Sequence, residues 1–195
     1  MQNLQHVNRR GIAYFLQSHA RRDGGIAYSF ARKPKGQPVD AIPEGYEIFE
    51  RPADAQVFLR KVQPVAILPL EVQLVQSAVR ALAGIEHFIV AAEGDALVIY
   101  LPEVDDDEHH RRQFATVMSP HQIRILRQLR IHDATYGRIM RFVLADATSR
   151  KFHAQRWCFR GSIDNWITLS ESGRLAGLLE RYAPHLGKES FFELY

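Results

Sequence analysis

Short runs of aromatic and β-compatible residues, broken by Gly, Pro and Asp, fill most of the first hundred positions and predict paired strands with one helix among them. Gly11-Ile12-Ala13-Tyr14-Phe15 nearly repeats as Gly25-Ile26-Ala27-Tyr28-Ser29-Phe30. Residues 12–17 and 26–33 therefore predict a hairpin, with Asp23-Gly24-Gly25 supplying the positive φ that a tight reversal needs. A helix over 4–22 competes through Leu4, Val7, Ile12, Phe15 and Leu16, but Gly11 in its middle would cost about 1 kcal/mol relative to Ala. Lys33-Pro34-Lys35-Gly36-Gln37-Pro38 breaks regular structure and reads as an exposed basic connector. A second hairpin pairs 46–51 with 56–62, where Val57, Leu59 and Lys61 alternate with Phe58, Arg60 and Val62. Pro69 opens a helix to position 83, with Leu70, Leu74, Ala78 and Leu82 as an i, i+4 stripe and Gly84 as its stop. Residues 86–92 and 96–101 form a third hairpin about Glu93-Gly94-Asp95.

Positions 102–118 carry no apolar period and read as a linker or long loop. Ser119-Pro120 then looks like an N-cap and a first-turn proline, starting a helix to about position 133. A long hairpin follows at 136–145 and 152–160, and Ser162, Asp164 and Asn165 read as a polar corner between two tryptophans. A last amphipathic helix spans 173–185 with Leu175, Leu178, Leu179 and Tyr182 on one side, and the apolar end at 191–195 is expected to dock. The order predicts an α+β fold of mainly antiparallel β-hairpins with about three helices. It leaves room for two small subdomains, 1–104 and 119–195, joined by an acidic, histidine-containing loop at 105–118.

The 195 residues are 46% hydrophobic and 24% charged, an ordinary globular balance. The longest apolar runs, 64–70 and 96–101, fall short of the roughly 18 to 20 residues that span a bilayer, so no membrane association is expected. A single cysteine, Cys158, allows no internal disulfide, and the start shows no secretion signal; both favour a cytoplasmic location. Cys158 lies between Trp157 and Phe159 and reads as a buried small hydrophobe, its fifth-residue spacing from His153 placing the two on opposite strand faces.

Charge sharpens the picture, because the net +3 hides blocks of opposite sign. Residues 1–39 carry seven Arg/Lys and one Asp, 40–110 four against fourteen acids, 111–160 eleven against two, and 161–195 three against five. Either the blocks neutralise one another in the fold, or a basic face meets a polyanion.

Arg9, Arg10, Arg21, Arg22, Arg32, Lys33 and Lys35 interleave with Tyr14, Phe15, Tyr28 and Phe30 around the first hairpin. A cationic groove with aromatic platforms holds single strands, charges on phosphates and rings on bases. The same aromatics are also what the core face of a sheet would carry. On the 119–133 helix Arg124 and Arg127 share a side, with Arg130 about 60° further round and Ile125, Leu126 and Leu129 opposite, a stripe able to follow phosphates. These residues predict a non-catalytic domain that binds DNA or RNA. Complementary charge blocks admit a self-associating interaction protein as the alternative. A second alternative is a divalent-metal phosphoester hydrolase using Asp105, Glu108 and His109 of the Asp105-to-His110 run, although that run also reads as a solvated acidic loop. No cofactor is otherwise expected. The common phosphate-loop, dinucleotide, serine-elbow and zinc-helix signatures are absent from the sequence.

Overall fold

The reversal at Asp23-Gly24-Gly25 shows how closely local chemistry sets the backbone. Gly24 takes φ +81°, Asp23 Oδ1 accepts the Gly25 N–H at 3.1 Å, and Arg21 N–H donates to the Gly25 carbonyl at 2.7 Å. The structure, a computed structural model, describes residues 3–103, 119–160 and 163–194. It is α+β, and the pairings among its twelve described strands are antiparallel.

Two compact units emerge. The first contains the chain up to Gln63 and the helix α2 (Pro120–Asp133). Its main sheet has the order β1 (Gln5–Val7), β2 (Ala13–Ala20), β3 (Ile26–Ala31), with β4 (Gln37–Pro38) also pairing β2. A separate hairpin joins β5 (Tyr46–Glu50) to β6 (Val57–Lys61), and β6 packs beside β3. Residues 4–22 hold strands where the competing sequence reading has one helix; Gly11 at φ +71° sits in the turn between β1 and β2. The N-cap of α2 is as expected, Ser119 Oγ accepting the Gln122 N–H while Gln122 Oε1 accepts the Ser119 N–H. Its apolar sector is not buried, since Ile125 and Leu129 are exposed.

The second unit holds a six-stranded sheet in the order β11 (Ile163–Thr168), β10 (Lys151–Arg160), β9 (Tyr136–Asp146), β8 (Ala96–Pro102), β7 (Ile89–Glu93), with β12 (Gly173–Arg174) pairing β10. Because β8 pairs with β9, chain from both sides of the 105–118 run lies in one sheet, and the compact units do not follow the sequence division at that run. One sheet face is covered by α1 (Pro69–Ala78), its continuation as a π turn over Val79–Ala83, and α3 (Leu175–Tyr182). Val75, Val79, Leu97, Ile99, Met140, Phe142, Phe152, Leu179 and Tyr182 meet there fully buried, and the Tyr182 hydroxyl donates to the Leu169 carbonyl at 3.0 Å.

Two readings need correction. From α1 and its π turn Val72, Val75, Ala78 and Val79 pack inward, so of the expected stripe Ala78 packs, while Leu70 is 73% exposed and Leu74 and Leu82 are also exposed. The polar corner at 162–165 is in part a strand, because Asp164 and Asn165 belong to β11, in register with Phe159 and Cys158; Ser162 lies outside the described residues. Arg156 of β10 is 8% exposed, and its Nε donates to the Leu194 carbonyl at 3.1 Å, tying down the docked C-terminal segment. Cys158 is buried, as expected.

Candidate nucleic-acid interface

Register decides which side chains of the first unit share a face. Pairing of Leu16 with Phe30, Ser18 with Tyr28 and His6 with Tyr14 puts Tyr14, Tyr28 and Phe30 on one side of the main sheet. These three, with Arg32 after β3 and Val57, Phe58 and Leu59 of β6, line an open groove of about 450 Å³. Arg32 lies 5.7 Å from the Tyr14 ring centre, and Tyr28 meets Tyr46 edge-on at 6.0 Å. At the rim Phe58 is 37% exposed, with the Arg51 guanidinium over it at 5.1 Å. Few apolar side chains of this unit are fully covered, chiefly Tyr14, Leu16, Ala55 and Val57, and the groove aromatics Tyr28 and Phe30 are half-buried rather than sealed.

The other face does something different. Gln17, buried on that side, accepts the N–H groups of Lys35 and Gly36 through one oxygen, both at 2.8 Å, and its amide donates to Ser29 Oγ at 3.3 Å. Residues 32–36 thus strap across β2 before β4 joins its far edge. Gly36 is required by closeness: a Cβ there would stand 2.5 Å from the Ser18 carbonyl oxygen and 2.6 Å from the His19 ring.

The cations that sequence groups together are therefore divided. Arg32 faces the groove, whereas Lys33 and Lys35 are exposed on the strap. Arg21 and Arg22 are exposed near the hairpin reversal. Arg9 is committed internally: Nη1 donates to Glu50 Oε1 at 2.9 Å and to the Arg51 carbonyl at 3.1 Å, and Nη2 reaches the Pro52 carbonyl. It fastens the β5–β6 hairpin to the β1–β2 turn. Arg10 is half-buried in that turn, its backbone N–H on Asn8 Oδ1 at 3.0 Å. Arg130 is exposed on the last turn of α2; Arg124 and Arg127 lie on the same helix, their side chains outside those described. Phe58 and Arg51 escaped the sequence reading; the period-two alternation at 57–62 was the available signal.

Acidic residues pair with several arginines, two of them within the 40–110 block and one across blocks. Arg51 pairs with Asp54, Arg60 with Glu47 at 2.7 Å and, in the second unit, Arg150 with Glu71. The Arg51 hydrogen bond holds the Asp54 carboxyl below its ordinary pKa. Asp105, Glu108 and His109 lie outside the described residues, and among those described no three His, Cys, Asp or Glu side chains gather to hold a metal. No described helix is long and apolar enough to cross a membrane.

On the second unit's sheet, Tyr100 donates its hydroxyl to Glu93 Oε1 at 2.6 Å, and burial first, then Glu93, pushes its pKa well above the ordinary phenol value. The fold thus favours the protonated phenol. Its stabilising effect is complete below the unfolded pKa of about 10 and is lost as pH rises through the folded value. Tyr100→Phe is expected to flatten the decline of Tm above about pH 10; an unchanged slope would show that Tyr100 is not the group responsible.

Comparison with protein-family models, curated proteins and solved structures finds no match to this chain.

Proposed function

We propose that the first unit is a non-catalytic binding module for single-stranded nucleic acid, with the Tyr14–Tyr28–Phe30–Phe58 groove as its base-stacking site. The observation that carries this reading is the groove itself, an open aromatic wall bearing Arg32 and rimmed by Arg51. Its 450 Å³ lies within the range of about 300 to 1,000 Å³ typical of small-ligand sites, which is room for a stacked base. Rings grip bases without regard to sequence, and exposed Arg21, Arg22, Lys33 and Lys35 add attraction for phosphates.

Binding of labelled single-stranded and duplex oligonucleotides across a salt series tests this. Single strands are expected to bind more tightly, with affinity falling as salt rises because counterions are released. Tyr28→Ala and Phe58→Ala are each expected to weaken binding by about fivefold to a hundredfold, since one stacked base is worth about 1 to 3 kcal/mol. Affinity that ignores both substitutions, or ignores salt, would defeat the reading. EDTA and Mg²⁺ arms with a cleavage assay separate it from a metal-dependent hydrolase.

A further inference from the structure

The arginines of the second unit's sheet divide by what they touch. Arg150 is paired with Glu71, and Arg156 is buried against a carbonyl. Arg138 and Arg141 differ from both: among the described residues neither has a carboxylate within 4 Å, and each lies over a tryptophan instead. The Arg138 guanidinium carbon is 4.8 Å from the Trp157 ring centre, and that of Arg141 is 4.4 Å from Trp166. The two indoles face each other across the β10–β11 pair, edge to face, with centres 5.1 Å apart.

A backbone irregularity creates this arrangement. Residues three apart on a regular strand point to opposite faces. Here Ile99 pairs with Met140 but the next residue, Tyr100, pairs with Arg138, so Ile139 is an extra residue on β9. The bulge re-aims Arg138 to the face that Arg141 occupies. Gln155 Oε1 then accepts the Arg141 Nε–H at 2.6 Å, and its amide donates to Thr168 Oγ1 at 3.1 Å, which anchors the guanidinium beside the ring. This is the face opposite α1 and α3, since Met140 and Phe142 on either side of Arg141 point into the core.

Two like charges have been brought to one face, each held over a tryptophan ring. A guanidinium held over an indole by cation–π attraction keeps N–H groups for an oxyanion, and its planar fork suits phosphate. Arg138 is exposed and Arg141, Trp157 and Trp166 are half-exposed, so an anion can reach them. We infer that Arg138 and Arg141, held over Trp157 and Trp166, form a second phosphate-contacting surface for a nucleic-acid strand, distinct from the aromatic groove of the first unit. This rests on the nucleic-acid reading above for the identity of the ligand. The surface itself is argued from residues that reading does not use.

The protein carries its own probe, because Trp157 and Trp166 are its only tryptophans. Titrating the intact protein with a single-stranded oligonucleotide at low salt is expected to change tryptophan emission, with inorganic phosphate far weaker at equal phosphate concentration. Arg138→Gln with Arg141→Gln is expected to reduce affinity about tenfold or more and to lower the log–log salt slope by about 1.4, for two phosphate contacts on a single strand. Tyr28→Ala is expected to leave the emission change per bound strand in place. Oligonucleotide binding without any emission change, or with affinity and salt slope unaltered in the double variant, would overturn this surface while leaving the groove reading intact. An equal emission response to poly-L-glutamate at matched charge would overturn the nucleic-acid assignment of the surface. Absence of oligonucleotide binding by any readout would defeat both. The wild-type titration stands even if the double variant does not fold.

Discussion

Replacing Phe142 by alanine is expected to lower stability by about 3 to 5 kcal/mol, the range for truncating a large buried aromatic. Phe142 has no solvent exposure and lies in β9, in register with Leu97 of β8 on one side and Ala154 of β10 on the other. Hydrogen-bonded strands on both flanks keep the backbone from collapsing into the space left behind, so the cavity term persists in full. For a chain of this size each kcal/mol moves Tm by about 2 to 4 °C, giving a fall of about 6 to 20 °C. Phe192→Ala is the control, since that ring is 65% exposed although it touches Phe191; a change near zero is expected. If Phe142→Ala melted within about 3 °C of the parent, less than the smallest expected fall, the placement of β9 at the centre of the core would be refuted.

Strands closed by local turns are legible in the amino-acid sequence. The pairs at 13–20 with 26–31, 46–50 with 57–61, 89–93 with 96–102 and 136–146 with 151–160 all reverse within a few residues, and the reversal chemistry is local. Short or polar strands are not legible in this way. Gln5–Val7, Gln37–Pro38 and Ile163–Thr168 have too little apolar pattern to announce themselves and exist because a neighbouring strand offers an edge. For α1 the period shows the helix but not its inward side, since leucine and valine rows compete on its surface. The π turn at Val79–Ala83 alters the phase at its end.

The candidate sites are legible only in part, for a related reason. Tyr14, Tyr28 and Phe30 stand out because hairpin register follows from the turn. Phe58 joins them through packing between β6 and β3, which no local rule foretells. Arg138 and Arg141 can be counted but not placed together, because one extra residue at Ile139 reverses the face on which Arg138 emerges. Charge counting likewise sets Arg9 among ligand-binding cations, and only the approach of Glu50 from forty-one residues away shows its structural task.

Gln17→Leu is expected to produce the second large effect, a loss of about 2 to 4 kcal/mol, because one carbonyl oxygen satisfies two backbone donors. Gln17 is 7% exposed, and leucine fills its volume without accepting the Lys35 and Gly36 N–H groups. The strap then either buries two unpaired donors, at about 1 to 3 kcal/mol each, or lifts into water and gives up its order. Both routes predict faster amide hydrogen exchange at Lys35 and Gly36 than elsewhere in the sheet. Gln17→Glu separates polarity from packing: its carboxylate can accept both N–H groups and the Ser29 hydroxyl, so most of the stability should return near neutral pH. On acidification the protonated carboxyl loses accepting capacity, and the rescue should weaken as pH falls through the side chain's pKa. A leucine variant with parental Tm and slow exchange at Lys35 and Gly36 would show that the strap is held by something other than Gln17. Stability lost equally in the leucine and glutamate variants would assign the effect to shape instead of hydrogen bonding.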